Sequence, residues 1–394
     1  MSLSKMDVLK IRADFPALKN YVWFQNGGVS ITPEPVAEVH LSLMRELLHR
    51  GPMHITFPDE EYARRERSME RLAQFFGVAR GELCLMRGVS EGFQTVLRGL
   101  DWQAGDQIVT TEEEEAALLL PILHVRDLYG VEVVKVPLVD DHDGQVQAVA
   151  ERLTSRTRLL AFSHVTTDTG FRLPAAELCA LAREKGVLSF VDMAHSGGLY
   201  PIHLKTMGCD FAGLLSYKWM YAPYASGAMY VNPDRMDDIA VRYAGGRAEA
   251  WLDFKADQFE LKKTAERFQY GPWSWPLLHA WAFSLDYLSG IGLDNIWDRT
   301  VVLTSRLKAG LKAIPGCRLL TPESPSRSAA LVSFELDGWK GTDVRDAMRS
   351  RWNLVIKAMP HVGTGLRSSV PFFLLEEEID FLVEKLGVLA KECG

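Results

Sequence analysis

The sequence predicts an α/β fold: a large domain with a mainly parallel sheet sandwiched by helices, followed by a smaller α+β C-terminal domain. Three observations carry this. From about residue 84 to 232, short β-rich runs alternate with helical stretches, as in a parallel sheet with crossover helices. The β-rich runs show little polar alternation, which marks strands buried on both faces. After about residue 265 the texture changes to long helical patterns and separated strands. The expected organisation is an N-terminal segment over 1–20, a large domain over 21–264 and a small domain over 265–394.

The elements follow in order. "LMRGVSEGFQTVLRGL" reads as a strand, then Gly88, then a helix opened by Val89 and Ser90. The runs "DQIVTT", "VEVVKVPLV", "RLLAFSHV", "VLSFVDMA" and "FAGLLS" read as further strands of the same sheet. Between two of them, "PAAELCALAREKG" opens on Pro174 and closes on Gly186, the usual helix asymmetry. In the small domain, "PLLHAWAFSLDYLSGIG" and "NIWDRTVVLTSRLKAGLKAI" predict two long helices. Strands are expected around "RSAALVSFEL" and "WNLVIKAM", and "EEEIDFLVEKLGVLAKEC" predicts a closing helix.

Composition sets the class. The chain has 394 residues, 47% hydrophobic and 24% charged, ordinary for a soluble globular protein. A net charge of −7 offers no basic field for nucleic acid or an acidic membrane. The first residues are too polar for a signal peptide, and no apolar stretch reaches bilayer length, so a cytoplasmic location is expected. The cysteines (Cys84, Cys179, Cys209, Cys317 and Cys393) are widely and irregularly spaced, so neither a disulfide framework nor a metal site is expected.

In open parallel sheets, ligands gather at the carboxyl ends of strands. "VLSFVDMAHSGG" puts Asp192 at such an end, with His195 three residues on. Alone, Asp192 would be an ordinary helix cap. The next strand, however, runs into "LLSYKWMYAPYASGAMYV", where Lys218 lies among Tyr217, Trp219, Tyr221 and Tyr224. A lone lysine there would pack its stem on apolar surface and send its amine to water. An acid and an amine on one rim suit pyridoxal phosphate instead: a lysine for the Schiff base, an aspartate for the ring nitrogen. The helix opening at Gly88, Val89 and Ser90 offers free amides for the phosphate, although by itself it is only a well-formed helix start. "FSHVTTDTGFRLP" supplies His164, Thr166, Thr167 and Asp168 after another strand, a cluster that could line the same rim or merely close a turn. Arg367, before the β-like run in "GTGLRSSVPFF", suits a substrate carboxylate, against a default reading as a surface charge. "EEEE" at 112–115 would ordinarily be a solvated acidic turn.

With these residues in place, the chain resembles fold-type I pyridoxal-phosphate enzymes of the class V aminotransferase group, which includes cysteine desulfurases, kynureninases and isopenicillin N epimerase. The resemblance runs nearly the whole length, through "YVWFQNGGVSITPEPV", "VDMAHSGGLYPIHLKTMGCDF", "YKWMYAPYASGAMYV", "AERFQYGPWSW" and "LRSSVPFFLLEEEIDFLVEKL" in that order. It implies a Schiff-base and proton-shuttling Lys218, Asp192 on the pyridine nitrogen, and His195 beside the ring. It implies Gly88, Val89, Ser90 and Tyr217 at the phosphate and Thr167 near the phenolic oxygen. Arg367, Asn26 and Glu115 are assigned to the substrate. It also implies a homodimer with shared active sites, in which Gly271 reaches the neighbouring subunit's phosphate.

Departures from the group narrow the function. Desulfurases place a ring-covering histidine where "TEEEEAALLLP" has Glu115, and a carboxylate cannot stack. They also carry a nucleophilic cysteine before the arginine, and "KAMPHVGTGLR" has none. Both differences argue against persulfide chemistry. Pro272 stands where the group has a threonine. The expected function is a lyase acting at Cα/Cβ of an amino acid, eliminating the sulfur substituent of an S-substituted cysteine in specialised metabolism. Alternatives are an epimerase, an aminotransferase, a decarboxylating deaminase, a kynureninase-type hydrolase, and a non-catalytic scaffold of the same fold.

Overall fold

The computed structural model describes residues 3–359 and 365–392. Its centre is a seven-stranded sheet. In spatial order the strands are Leu83–Met86, Gly227–Val231, Phe211–Leu215, Leu188–Asp192, Thr157–Ser163, Gln107–Thr111 and Glu132–Val136. Four of the six pairings are parallel; the two involving Gly227–Val231 are antiparallel. The sheet is therefore mainly parallel, as the alternating pattern predicts. Gly227–Val231 is a strand the sequence reading did not assign, because "GAMYV" is short and begins on a glycine.

Side chains alternate across this sheet, so each strand feeds two cores. Leu159, Ala161 and Phe190 join Val89, Phe93 and Leu118 on one face. Leu160, Phe162 and Val191 join Leu178, Leu214 and Trp281 on the other. This double burial accounts for the unbroken apolar runs.

The second sheet is antiparallel, with strand order Cys317–Leu319, Leu331–Leu336, Gly365–Ser369 and Lys357–Ala358. Helices Leu293–Lys312 and Glu376–Glu392 pack against each other beside it. "WNLVIKAM" does not form one strand. Leu354–Val355 pairs in parallel with Val22–Trp23, while Lys357–Ala358 pairs with Gly365–Ser369. Arg367 correspondingly lies inside a strand rather than before one. A bridge between Gln25 and Ser369 draws the opening segment onto this sheet. Helix Trp275–Ile291 packs on helices Glu34–Arg50 and Pro58–Phe75. No helix among the described residues is long and apolar enough to cross a membrane.

Candidate active site

Asp192 ends its strand and pairs in register with Gly213 on the neighbouring strand, which runs on to Lys218. The two strands thus deliver carboxylate and amine to one rim. Both are buried in the wall of a cavity of about 570 Å³, together with Gly88, Val89, Ser90, Glu115, Tyr217 and Lys357. Lys218 Nζ lies 3.3 Å from His195 Nε2. The backbone amide of Ala194 donates to Asp192 Oδ1 at 2.7 Å, fixing the carboxylate at the turn.

Burial pulls the Lys218 amine down to about 8; Asp192 and Glu115 oppose this, while Arg367 and Lys357 reinforce it. Burial also raises Asp192 to about 6. His195 is held well below its usual range by burial and by the neighbouring cations, so it is neutral. The site therefore presents an ionised carboxylate and a partly deprotonated amine near neutral pH.

Arg367 is fully buried, and Nη1 donates to both the carbonyl and the Oγ1 of Thr167 at 2.7 Å. The Thr167 hydroxyl in turn donates to Glu115 Oε1 at 2.8 Å. A chain of hydrogen bonds therefore ties the guanidinium to the Glu115 carboxylate in the cavity wall, while Arg367, Thr167 and His195 are not themselves part of the lining. Arg367 Nε and Nη2 are buried with no partner among the described residues. An unpaired buried guanidinium edge is costly unless something binds it. Burial works to raise the Glu115 carboxyl, but Thr167 and the charges of Lys218, Lys357 and Arg367 outweigh it and hold it below the usual range.

Helix Val89–Gly99 begins at Gly88 with no side-chain cap. Its first residues, Val89 and Ser90, line the cavity. Two close approaches set this helix against the sheet. A Cβ on Gly213 would lie 2.8 Å from Val89 Cγ1, and one on Gly227 would lie 2.5 Å from the Leu214 carbonyl oxygen and 2.8 Å from Gly88 Cα. The uncapped amides, the buried Asp192 and the reachable Lys218 amine fit pyridoxal phosphate: amides for its phosphate, acid for its ring nitrogen, amine for its aldehyde. Gly227→Ala is expected to destabilise the fold by about 1–3 kcal/mol and to weaken pyridoxal-phosphate binding. Urea unfolding and cofactor titration measure the two effects, and unchanged cofactor affinity would remove the helix start from the phosphate seat.

The remaining expected residues separate. Asn26 does not line the cavity; its Nδ2 donates to the Lys218 carbonyl at 3.1 Å, while the adjacent Gly27 and Gly28 form the wall. His164 also lies away from the rim. It is buried edge-on to Tyr200, beside a different cavity, and burial lowers it to about 3. Thr166 is used within its own turn, on Phe171 and Thr169. Gly271 lies in a neighbouring cavity of about 520 Å³ with Ala225, Ser226 and Pro272, not beside Lys218 of the same chain.

Only Glu112 of the acidic run is exposed, and the other three carboxylates are buried or half-buried. Glu112 accepts from the Leu138 amide and Glu113 from the amide and hydroxyl of Thr169. Glu114 accepts from Thr111 and from the amide and hydroxyl of Ser163. Burial raises Glu114 to about 7. Sequence reasoning also missed Lys357, which joins the wall because its strand pairs with that of Arg367. No cysteine lines the cavity among the described residues, and burial pushes the Cys317 thiol, in another cavity, up to about 12. Residues 360–364, part of the stretch where desulfurases carry their nucleophile, lie outside the described residues, as does Cys393.

A buried amine and acid set at the carboxyl ends of adjacent parallel strands, with a helix start opening onto the same cavity, define an enzyme-type site on the fold-type I architecture. The family follows from the sequence itself: residues 22–382 match the Aminotransferase class-V family, and the chain belongs to it. It is 29% identical over 341 residues to an isopenicillin N epimerase of Streptomyces clavuligerus, covering 82% of this chain and 84% of that protein. It is 27% identical to a probable cysteine desulfurase 2 of Mycobacterium leprae, covering 87% and 85% respectively. Among solved structures, the apo cysteine desulfurase from Thermococcus onnurineus NA1 superposes with a TM-score of 0.89 at 24% identity over 100% of both chains. The cystine C–S lyase C-DES, solved with its product cysteine persulfide, gives 0.86 at 24% identity over 95% of this chain and 99% of that one.

Proposed function

We propose that the protein is a pyridoxal-phosphate enzyme acting at Cα and Cβ of an amino acid, and that its reaction is elimination of the sulfur substituent from an S-substituted cysteine. The observation that carries this is a depressed, buried Lys218 amine in the wall of a cavity whose described lining contains no cysteine, with Arg367 joined to that wall through Thr167 and Glu115 and carrying two buried nitrogens that lack a partner.

When bound, the cofactor supplies an electron sink for a bond broken at Cα. The chain's own residues do the rest. Asp192 holds the ring nitrogen, and the amides of Val89 and Ser90 hold the phosphate, with Tyr217 at the cavity wall beside them. Arg367 orients the α-carboxylate through Nε and Nη2. Lys218 Nζ takes the Cα proton, and neutral His195 holds that amine through Nε2. The thiolate then leaves from Cβ, and water completes the balance to thiol, pyruvate and ammonium.

A panel of cysteine S-conjugates, assayed for pyruvate and ammonia, tests this reading; release of neither from any member overturns it. Epimerisation is the second reading, favoured by the 29% identity to the Streptomyces clavuligerus enzyme. It would appear as α-proton exchange into deuterated water without net substrate loss. The same proposal takes the protein as a homodimer, with Gly271 of each chain serving the other's cofactor phosphate. The exposed stripe of Leu41, Met44 and Leu48 on helix Glu34–Arg50 supports an apolar contact between copies.

A further inference from the structure

Two cavity cations are left unused by the reaction, and of these Arg87 is paired with Glu91 while Lys357 is not. It sits on the short strand Lys357–Ala358, in register opposite Arg367. Directly opposed residues of an antiparallel pair share a face, with Cβ atoms about 5 Å apart. Burial pulls the Lys357 amine below its usual range, and the repulsion between two cations in that relation adds to the cost. Yet Lys357 Nζ has no hydrogen-bond or ion-pair partner among the described residues. The carboxylates that act on it, Glu115 and Asp168, raise it through their charge, and Glu115 Oε1 is already engaged by Thr167.

The α-carboxylate does not account for Lys357. Arg367 Nε and Nη2, two adjacent N–H groups buried without a partner, have the geometry of a complete fork for one carboxylate, although Arg367 is not itself part of the cavity lining. A second cation beside that fork is surplus to a substrate with a single acid group. Resting on the amino-acid reading of this site, we infer that the substrate carries a second anionic group, and that Lys357 binds it. In the lyase reading this group is a carboxylate, or a comparable oxyanion, on the sulfur substituent or at the end of the side chain.

Matched acid and amide probes isolate the charge. S-carboxymethyl-L-cysteine is compared with S-carbamoylmethyl-L-cysteine, and L-aspartate with L-asparagine, by calorimetric titration of the cofactor-loaded wild-type, Lys357→Gln and Lys357→Arg proteins. The expected result is an acid-over-amide preference of about tenfold or more in wild type for at least one pair. That preference should collapse toward unity in Lys357→Gln and return in Lys357→Arg. Equal binding of acid and amide in both pairs by wild type overturns the inference. So does a preference that survives in Lys357→Gln, or no binding of any probe. Because calorimetry does not depend on turnover, the pyruvate assay fails separately: a charge preference without product sinks the lyase reading and leaves this one standing.

Discussion

Lys218→Ala is expected to slow turnover by about 10³-fold or more, the largest effect of any single substitution in the molecule. The wild-type protein loaded with pyridoxal phosphate should show a visible absorbance band that borohydride abolishes, and mass spectrometry should then place the cofactor mass on the Lys218 peptide. The variant should bind the cofactor without becoming labelled. The physical ground is the position of this amine: burial brings it to about 8, so it is available both as nucleophile and as base near neutral pH. Loss of activity through misfolding is separable, because removing a desolvated amine should not lower the thermal midpoint appreciably. A variant that still labels at another lysine, or that keeps near-wild-type turnover, would take Lys218 out of the reaction.

Arg367→Gln is the second large effect, and it should appear in substrate binding. Deleting charge-assisted hydrogen bonds of about 1.5–3 kcal/mol predicts a rise in KM, or in the dissociation constant of an unreactive amino acid, of about 10- to 100-fold. The guanidinium hydrogen-bonds only to Thr167 among the described residues, and its Nε and Nη2 are buried without a partner, so a carboxylate that reaches them gains a charge-assisted pair. The test is titration with an amino acid and with the corresponding amine lacking the carboxylate. Wild type should prefer the acid strongly, and the variant should lose that preference. If the variant discriminates as well as wild type does, Arg367 is a structural cation held by the Thr167–Glu115 chain.

Much of this site was legible in the sequence. Asp192 and Lys218 stand at the ends of apolar runs, and strand ends on one rim are close in a parallel sheet whatever the loops between them do. The start of helix Val89–Gly99 was readable for the same reason, since a glycine followed by a helix after a strand places amides at that rim. The α/β class, the strands of the parallel region and the long helices follow from periodicity and end signals, which are local properties of the chain.

What the sequence could not order was polar detail that depends on packing between distant segments. The "EEEE" run read as a solvated turn, yet Glu114 is buried because Ser163, 49 residues away, supplies its amide and hydroxyl. His164 was open between the rim and an ordinary turn, and packing puts it beside Tyr200, away from the cavity. Asn26 holds the Lys218 backbone only because the Gln25–Ser369 bridge draws the opening segment across the second sheet. Lys357 and Arg367 became neighbours through antiparallel register, and register is fixed by pairing that no single stretch specifies. The sequence by itself determined the fold class and the acid–amine pair, because both rest on local apolar periodicity. Only the tertiary structure decided which polar groups line the cavity and which are spent on one another, because burial and hydrogen-bond partnership are properties of chains brought together.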